Sequence, residues 1–196
     1  MREASSTKVS AILLAAGESK RMGKFKQLMP LGNSTMVEQT TDNLLSSGVS
    51  EVIVVLGHRA EEVMKRVATK PIKIALNPIY HQGMGTSIVA GLNLVDSRAQ
   101  AVMLVLGDQP FVDSQTIDRL IEEFDAHDKG IALPVYQGRR GHPIIFSIKY
   151  KAQLSGLKGD IGGREIIKEH PEDILEVAVE CEGINIDIDT MSQGSA

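Results

Sequence analysis

The sequence predicts a single α/β domain in which a mostly parallel, twisted sheet carries helices on both faces. The chain has 196 residues, 42% hydrophobic and 23% charged, as is typical of one globular domain. Apolar runs of strand length alternate with helix-like stretches. Two of the runs, residues 52–55 and 102–106, are apolar at every position, which indicates strands that are buried on both faces.

The first part of the chain follows a regular strand–helix order. The predicted strands are Val9–Ala15, Glu51–Leu56, 72–76 and Ala101–Leu106. The predicted helices between and after them are 36–47, 60–68, 86–95 and Ser114–Ala126. Ligands of open parallel sheets bind at the carboxyl ends of the strands. We therefore expect functional residues directly after positions 15, 56, 76 and 106.

From residue 130 onwards the alternation is looser. We expect strands at 131–135, 143–146, 175–179 and 184–188, and a helix at 164–170. No linker-like stretch separates this part from the first, so residues 1–196 are predicted to form one domain.

Charge and cysteine content exclude several kinds of function. A formal net charge of -4 provides no basic field for nucleic acid or an anionic membrane. The first apolar run is too short to span a membrane, and no signal peptide is recognisable. Cys181 is the single cysteine, so it cannot form an internal disulfide and does not have the spacing of a zinc site. We therefore expect a cytoplasmic protein.

The segment after the first predicted strand indicates phosphate binding. Small residues at 15–17 let backbone N–H groups approach a ligand closely, and four cations follow within ten residues: Lys20, Arg21, Lys24 and Lys26. That combination suits a triphosphate. A solvated basic loop would have a similar composition, but the position at the end of a buried strand favours phosphate binding.

Two common nucleotide motifs do not match the chain. A Walker A loop needs four residues between its glycines, whereas Gly17 and Gly23 are separated by five, and Lys24 is followed by Phe25 instead of Ser or Thr. Residues 83–85 begin like a dinucleotide fingerprint, but Ile88 occupies the third glycine position.

Six spaced blocks carry a family resemblance. They are residues 14–26 (L-A-A-G-x-S-x-R-M-G-x-x-K), 82–87 (Q-G-M-G-T-S), 107–110 (G-D-Q-P), 140–143 (R-G-H-P), 159–164 (G-D-x-G-G-R) and 187–190 (D-I-D-T). They resemble the nucleotidyltransferases that attach nucleotides to molybdopterin, above all the molybdenum cofactor cytidylyltransferase group, including relatives that serve maturation of xanthine dehydrogenase-like enzymes.

The resemblance implies a Rossmann-like nucleotidyltransferase fold and a Mg²⁺-dependent reaction. CMP would pass from CTP to the phosphate of molybdopterin, with release of pyrophosphate, and an apo-oxidoreductase would receive the product. It also implies an NTP-binding half at about 8–129 and an acceptor-binding half at about 130–190. After Thr190 the family pattern continues with Pro-Glu-Asp and a closing helix, which residues 191–196 do not match, so we expect that helix to be missing.

Acidic residues at two places are candidate metal ligands. Asp108 follows a buried strand and Gly107, where a carboxylate oxygen is suited to Mg²⁺, although a lone Asp after a strand is often a helix cap or turn residue. Asp187 and Asp189 alternate along the strand predicted at 184–188 and would share one face; from spacing alone, the polar side of a half-buried strand is slightly favoured. The resemblance implies that Asp108 and Asp189 bind the metal.

The remaining donor-side roles also come from the resemblance. It assigns Arg21 and Lys26 to the phosphates, with Asp108 as the third catalytic residue. Cytidylyl members carry Ala where guanylyl members carry Gly, so Ala16 indicates CTP rather than GTP. The nucleotide contacts would be Leu14, Ala15, Ala16, Gly17, Gln82, Gly83, Thr86 and Ser87. A helix N-cap is the alternative role for Thr86 or Ser87.

Three residues are candidates for the acceptor side. Arg140 and His142 flank Gly141 in a cationic turn, and Arg164 stands at the start of a predicted helix, where an anion is favoured. Three other functions stay open: a cytidylyltransferase that acts on a sugar or polyol phosphate, an NAD(P)H-dependent reductase similar to a pigment-reducing enzyme of nicotine breakdown, and a non-catalytic chaperone of the cofactor.

Overall fold

A computed structural model describes residues 7–18 and 25–187. Arg21 and Asp189, two of the predicted site residues, lie outside these ranges. The strands are β1 (Val9–Ala15), β2 (Pro30–Leu31), β3 (Ser34–Thr35), β4 (Glu51–Leu56), β5 (Lys73–Leu76), β6 (Ala101–Leu106), β7 (Ile131–Tyr136), β8 (Arg139–Arg140), β9 (Ile144–Ser147) and β10 (Ile174–Ala178). The helices are α1 (Met36–Leu45), α2 (Ala60–Val67), α3 (Met84–Leu92), α4 (Ser114–Ala126), α5 (Lys151–Ser155) and α6 (Arg164–Glu169).

The main sheet has the strand order β10-β7-β9-β6-β1-β4-β5, and β8 pairs with β7. β1 is parallel to β6 and to β4, and β5 is parallel to β4. β9 is antiparallel to both β6 and β7. The predicted mostly parallel α/β architecture is confirmed, and the carboxyl ends of β5, β4, β1, β6 and β7 meet at one edge of the sheet.

Hydrophobic clusters cover both faces of the sheet. Neighbouring residues of β1 divide between them: Leu13 belongs to one cluster and Ile12 to the other, and both are fully buried. Helices α1, α2 and α4 supply residues to the first cluster, whereas α3, α5 and α6 supply residues to the second. Each fully buried side chain of this size stabilises the fold by roughly 1.5–3 kcal/mol. Burial on both faces explains why residues 52–55 and 102–106 are apolar at every position.

Helix α3 packs directly on β1. A Cβ atom at Gly91 would lie 2.4 Å from Cγ2 of Ile12, well inside van der Waals contact. Glycine at this position therefore allows the helix to approach the strand. That packing keeps the start of α3 close to the carboxyl edge of the sheet.

The strand predicted at 184–188 is not formed in the described residues. A 3-10 helix, Glu182–Asn185, stands there instead. A Cβ at Gly183 would lie 2.4 Å from the carbonyl oxygen of Phe111, so the chain turns closely against that backbone. The Ile184 carbonyl accepts a hydrogen bond from the His142 N–H at 3.2 Å and not from a neighbouring strand. Asp187 therefore does not lie on a strand, and Asp189 lies outside the described residues.

Across the described ranges, no helix combines the length and apolarity needed to cross a membrane.

Candidate active site

The carboxyl ends of β1 and β6 lie against each other. The Gly107 N–H donates to the carbonyl of Leu14 at 3.1 Å. A Cβ at position 107 would lie 2.8 Å from that same oxygen, so glycine is required for this approach. Asp108, the next residue, is thereby held beside the loop that follows β1.

Lys26 and Asp108 meet at this edge of the sheet. Lys26 begins a short 3-10 helix (Lys26–Leu28), is 6% exposed, and places its Nζ 3.2 Å from Oδ2 of Asp108. Gln27 holds the same turn against the strand end, because its Nε2 donates to the carbonyl of Gly17 at 3.1 Å. The Asp108 side chain is 32% exposed, so a buried cation stands beside a carboxylate that solvent and ligands reach.

The small residues after β1 differ in their surroundings. Ala15 and Ala16 are buried, and the Ala16 carbonyl accepts from the N–H of His58 at 3.1 Å, which joins the ends of β1 and β4. Leu14 is half-buried, and Gly17 is exposed, with open space where a Cβ would be. The Ala16 methyl group packs in the hydrophobic cluster of one sheet face.

The predicted base and ribose contacts lie at the start of α3. The helix begins at Met84, so Thr86 and Ser87 stand inside its first turn and neither caps it. Buried Asn77, just after β5, donates from its Nδ2 to the hydroxyls of Thr86 at 2.9 Å and Ser87 at 3.0 Å. Gln82 is exposed at the end of a 3-10 helix (Tyr80–Gln82). Asn77 was not among the predicted site residues, although its position directly after a strand could have identified it.

A loop from the second part of the chain covers the start of α3. Gly83 has a φ of +109°, and a Cβ there would lie 2.3 Å from the carbonyl carbon of Gly159. The Gly85 N–H donates to the Gly159 carbonyl at 2.9 Å, and the Met84 N–H donates to Oδ1 of Asp160 at 3.2 Å. The glycines of the 82–87 block thus allow close backbone packing, and the Asp160 carboxylate accepts a hydrogen bond at the start of the helix.

The three predicted acceptor residues line one cavity of about 360 Å³. The antiparallel β9 explains this, because the turn before its first residue lies at the same edge as the ends of β6 and β7. Polar side chains in the lining are Gln109, Arg140, His142, Arg164, Lys168, Asn185 and Asp187. Apolar side chains in the lining are Leu106, Leu133, Ile144, Ile167 and Ile184.

The cavity's cationic groups have different environments. Burial, together with the nearby Arg164 guanidinium, lowers the pKa of His142 to about 4, whereas Asp187 opposes the shift. The imidazole is therefore neutral at pH 7 and adds no positive charge to the cavity. Arg140 is paired with Glu176 at 2.6 Å on the exposed rim. Arg164, the first residue of α6, is exposed.

Gln109 is a second residue that the sequence analysis missed. It is 5% exposed, and its Nε2 donates to Oδ1 of Asp187 at 2.8 Å and to the carbonyl of Ile184 at 3.3 Å. Its position in the 107–110 block, directly after Asp108, could have identified it as a site residue.

This arrangement can bind two anionic ligands side by side. One edge of a parallel sheet presents a lysine–aspartate pair, hydroxyl groups at a helix start, and a partly cationic cavity. That combination of fold and site is typical of enzymes that transfer a nucleotide between phosphates. The chain belongs to the family described as the MobA-like NTP transferase domain, whose model matches residues 11–174. It is thus a nucleotidyltransferase of the MobA-like type.

Relatives of the chain include proteins with different activities. The chain is 32% identical to the nicotine blue oxidoreductase of Paenarthrobacter nicotinovorans, with 94% of each chain covered. It is 34% identical to the molybdenum cofactor cytidylyltransferase of Escherichia coli, covering 71% of this chain and 70% of the relative. A solved structure of Rv0371c from Mycobacterium tuberculosis, in complex with manganese, matches with a TM-score of 0.77 and 28% identity over 89% of each chain.

Proposed function

We propose that this chain transfers CMP from CTP to the phosphate of molybdopterin, releasing pyrophosphate, in the maturation of a molybdenum hydroxylase. The observation that carries the proposal is the Lys26–Asp108 pair at the sheet edge that also carries the cavity of Arg140, His142 and Arg164. The similarity to a molybdenum cofactor cytidylyltransferase supports the choice of donor and acceptor. The reaction would take place in the cytoplasm, where a single free cysteine fits a reducing environment.

A divalent cation, Mg²⁺ in this proposal, would be held by Asp108 together with Asp189, which lies outside the described residues. Residues 7–18 and 25–187 contain no group of three metal-binding side chains. Mg²⁺ commonly uses one or two carboxylates plus substrate phosphates and waters, so an accessible Asp108 oxygen fits it. When bound, the ion would supply charge neutralisation on the phosphates. The manganese complex of a relative supports the use of a divalent metal.

Catalysis in this proposal consists of positioning and electrostatics. The acceptor is a phosphate monoester whose second pKa, about 6, leaves it largely dianionic at pH 7, so no enzymic base is required. Lys26 is held in place by burial and by Asp108, and its ammonium group would neutralise charge on the transferred phosphate. Arg21, outside the described ranges, would act on the same phosphates.

The two ligands would occupy adjacent parts of the sheet edge. CTP would bind along residues 14–17 and at the start of α3, where Gln82, Gly83, Thr86 and Ser87 would contact the base and ribose. GTP is the less favoured donor, because Ala16 follows the cytidylyl pattern. The NTP-binding half would then comprise residues 8–129, and the acceptor-binding half residues 130–190.

The lining of the cavity supports a heterocyclic acceptor over a polyol phosphate. Leu133, Ile144 and Ile167 provide apolar surface for a flat ring, and a polyol would bury less apolar area against them. Arg164 would bind the phosphate. The product would pass to an apo-oxidoreductase similar to xanthine dehydrogenase.

Pyrophosphate release tests this proposal. The protein with Mg²⁺ is incubated with CTP or GTP, and with molybdopterin, methylerythritol phosphate or no acceptor. The expected result is pyrophosphate release that requires molybdopterin and is faster with CTP. If pyrophosphate is released only with methylerythritol phosphate, the acceptor is a polyol phosphate and not molybdopterin. If the protein binds molybdopterin tightly but releases no pyrophosphate, it is a non-catalytic chaperone of the cofactor.

A reductase is the second candidate function, because the 32% identical oxidoreductase aligns over 94% of both chains. The third glycine position of a dinucleotide fingerprint is occupied by Ile88, a fully buried residue of α3. The site would therefore lack the close helix–strand packing that the third glycine provides where a nicotinamide dinucleotide binds. Oxidation of NADH or NADPH coupled to loss of nicotine blue absorbance would establish this activity, and its absence would exclude it.

A further inference from the structure

The Gln109 side chain joins two parts of the site. Gln109 follows Asp108 directly in the loop after β6. Its Nε2 contacts Oδ1 of Asp187 and the carbonyl of Ile184, at 2.8 and 3.3 Å. All three residues line the acceptor cavity. One buried amide therefore connects the Asp108 loop to the cavity wall formed by residues 182–187.

The orientation of this amide follows from its partners. Both neighbours of Nε2 are oxygen acceptors, so a flipped amide would place oxygen against oxygen. The other end of the group, Oε1, is buried and has no hydrogen-bond partner among the described residues. A buried unpaired carbonyl lowers stability. Stability alone therefore does not explain why glutamine occupies this position.

The wall that Gln109 holds is tightly packed on its other side. The Ile184 carbonyl also accepts from the His142 N–H at 3.2 Å. A Cβ at Gly141 would lie 2.4 Å from the same carbonyl oxygen. Residues 141–142 and 182–187 thus form one packed unit. The Gln109 amide connects that unit by hydrogen bonds to the loop that carries Asp108.

We infer that Gln109 is a positioning residue that fixes the acceptor cavity relative to the Asp108 loop. The inference rests on the proposed function, which assigns Asp108 to the donor and the cavity to the acceptor. Gln109 acts through Asp187 and Ile184 and contacts no reacting atom. In-line transfer depends on this spacing, since a misplacement of about 1 Å can slow a reaction about a hundredfold.

The first test is Gln109→Met, which keeps the side-chain length and removes both hydrogen bonds. Stability should change little, because the unpaired Oε1 disappears and the Ile184 carbonyl keeps its bond from His142. The kcat for CMP transfer should fall by about ten- to a hundredfold, while the KM for CTP stays within about twofold. Gln153→Met, at an exposed position of α5, is the matched control and should behave like the wild type.

Amide hydrogen exchange supplies a readout that does not need activity. In Gln109→Met, exchange of the backbone amides of His142 and of residues 182–187 should accelerate several-fold, because residues 182–187 lose their hydrogen bonds to Gln109. Gln109→Glu should show the same loss, since its carboxylate faces that of Asp187. The double variant Gln109→Glu/Asp187→Asn restores a donor–acceptor pair and should recover part of the protection and of the kcat.

The outcomes separate the two claims. Unchanged exchange in Gln109→Met, or wild-type kcat, would overturn the positioning role. A fall in Tm above about 8 °C, corresponding to roughly 2–4 kcal/mol in a chain of this size, would show a structural role instead. If the wild type releases no pyrophosphate with any acceptor, the proposed function fails, and the exchange measurement still decides whether Gln109 holds the cavity wall.

Discussion

Replacing Asp108 with Asn separates stability from catalysis at this site. The change keeps the shape of the side chain and removes its negative charge. Lys26, 6% exposed, then stands beside a neutral amide, and the proposed metal site loses its anionic ligand. The two consequences differ in size.

The structural loss is modest. At 3.2 Å the Lys26–Asp108 attraction is about 5 kcal/mol for an effective dielectric constant of about 20. Because solvent reaches the Asp108 side chain, hydration offsets most of it, and we expect a net loss of about 1–2 kcal/mol. In a protein of this size that lowers Tm by about 2–8 °C. The catalytic loss should be about 10²–10³ in kcat, or about 2.7–4 kcal/mol of barrier.

Steady-state pyrophosphate release at saturating CTP and Mg²⁺, combined with thermal unfolding, measures both quantities. Asp128→Asn, an exposed carboxylate beyond α4, is the control for a surface charge change and should retain full activity. Asp108→Asn with more than half of the wild-type kcat would refute the assignment of Asp108 as a metal ligand. Collapse of the fold would show that the pair with Lys26 is structural.

Four further substitutions test the acceptor cavity and the core. Arg164→Ala should raise the KM for the acceptor about ten- to a hundredfold and leave the KM for CTP unchanged. Arg140→Ala should have a smaller effect, because Arg140 is already paired with Glu176. Equal effects on the KM values of both ligands would contradict the division of the site into donor and acceptor parts. The pKa of His142 is about 4 in the folded chain and 6.5 in its ordinary state, so between these pH values only the unfolded chain binds a proton, and the free energy of unfolding falls as the pH drops. In urea titrations, His142→Gln should remove up to about 3 kcal/mol of this loss. The same pH dependence of unfolding in wild type and variant would refute this role of His142. Gly91→Ala should destabilise the fold by about 1–3 kcal/mol through contact with Ile12, and an unchanged Tm would show that α3 can shift.

The central strands could be predicted because both of their faces are buried. β1, β4 and β6 have the bounds expected from their continuous apolar runs, and small or polar residues end each run. Lys26 and Asp108 are 82 residues apart in the chain, yet the rule for ligand positions in parallel sheets placed both at one edge.

Other features depend on contacts that local pattern does not contain. Residues 143–146 predicted a strand, but nothing in them indicated that β9 inserts antiparallel between β6 and β7. Ile184 and Ile186 alternate with polar residues as in a strand, whereas close packing of Gly183 on Phe111 imposes a turn. The low pKa of His142 follows from burial in the folded chain, which a cationic turn in the sequence did not indicate.

Transfer of a labelled phosphorus atom tests the central claim most directly. The protein is incubated with Mg²⁺, molybdopterin and CTP labelled at either the α- or the γ-phosphate, and the products are separated. CMP transfer predicts that α-label appears in the molybdopterin product and that γ-label appears in pyrophosphate. Label from the α-position that remains in CTP, or that appears only in free CMP, would contradict nucleotide transfer to this acceptor.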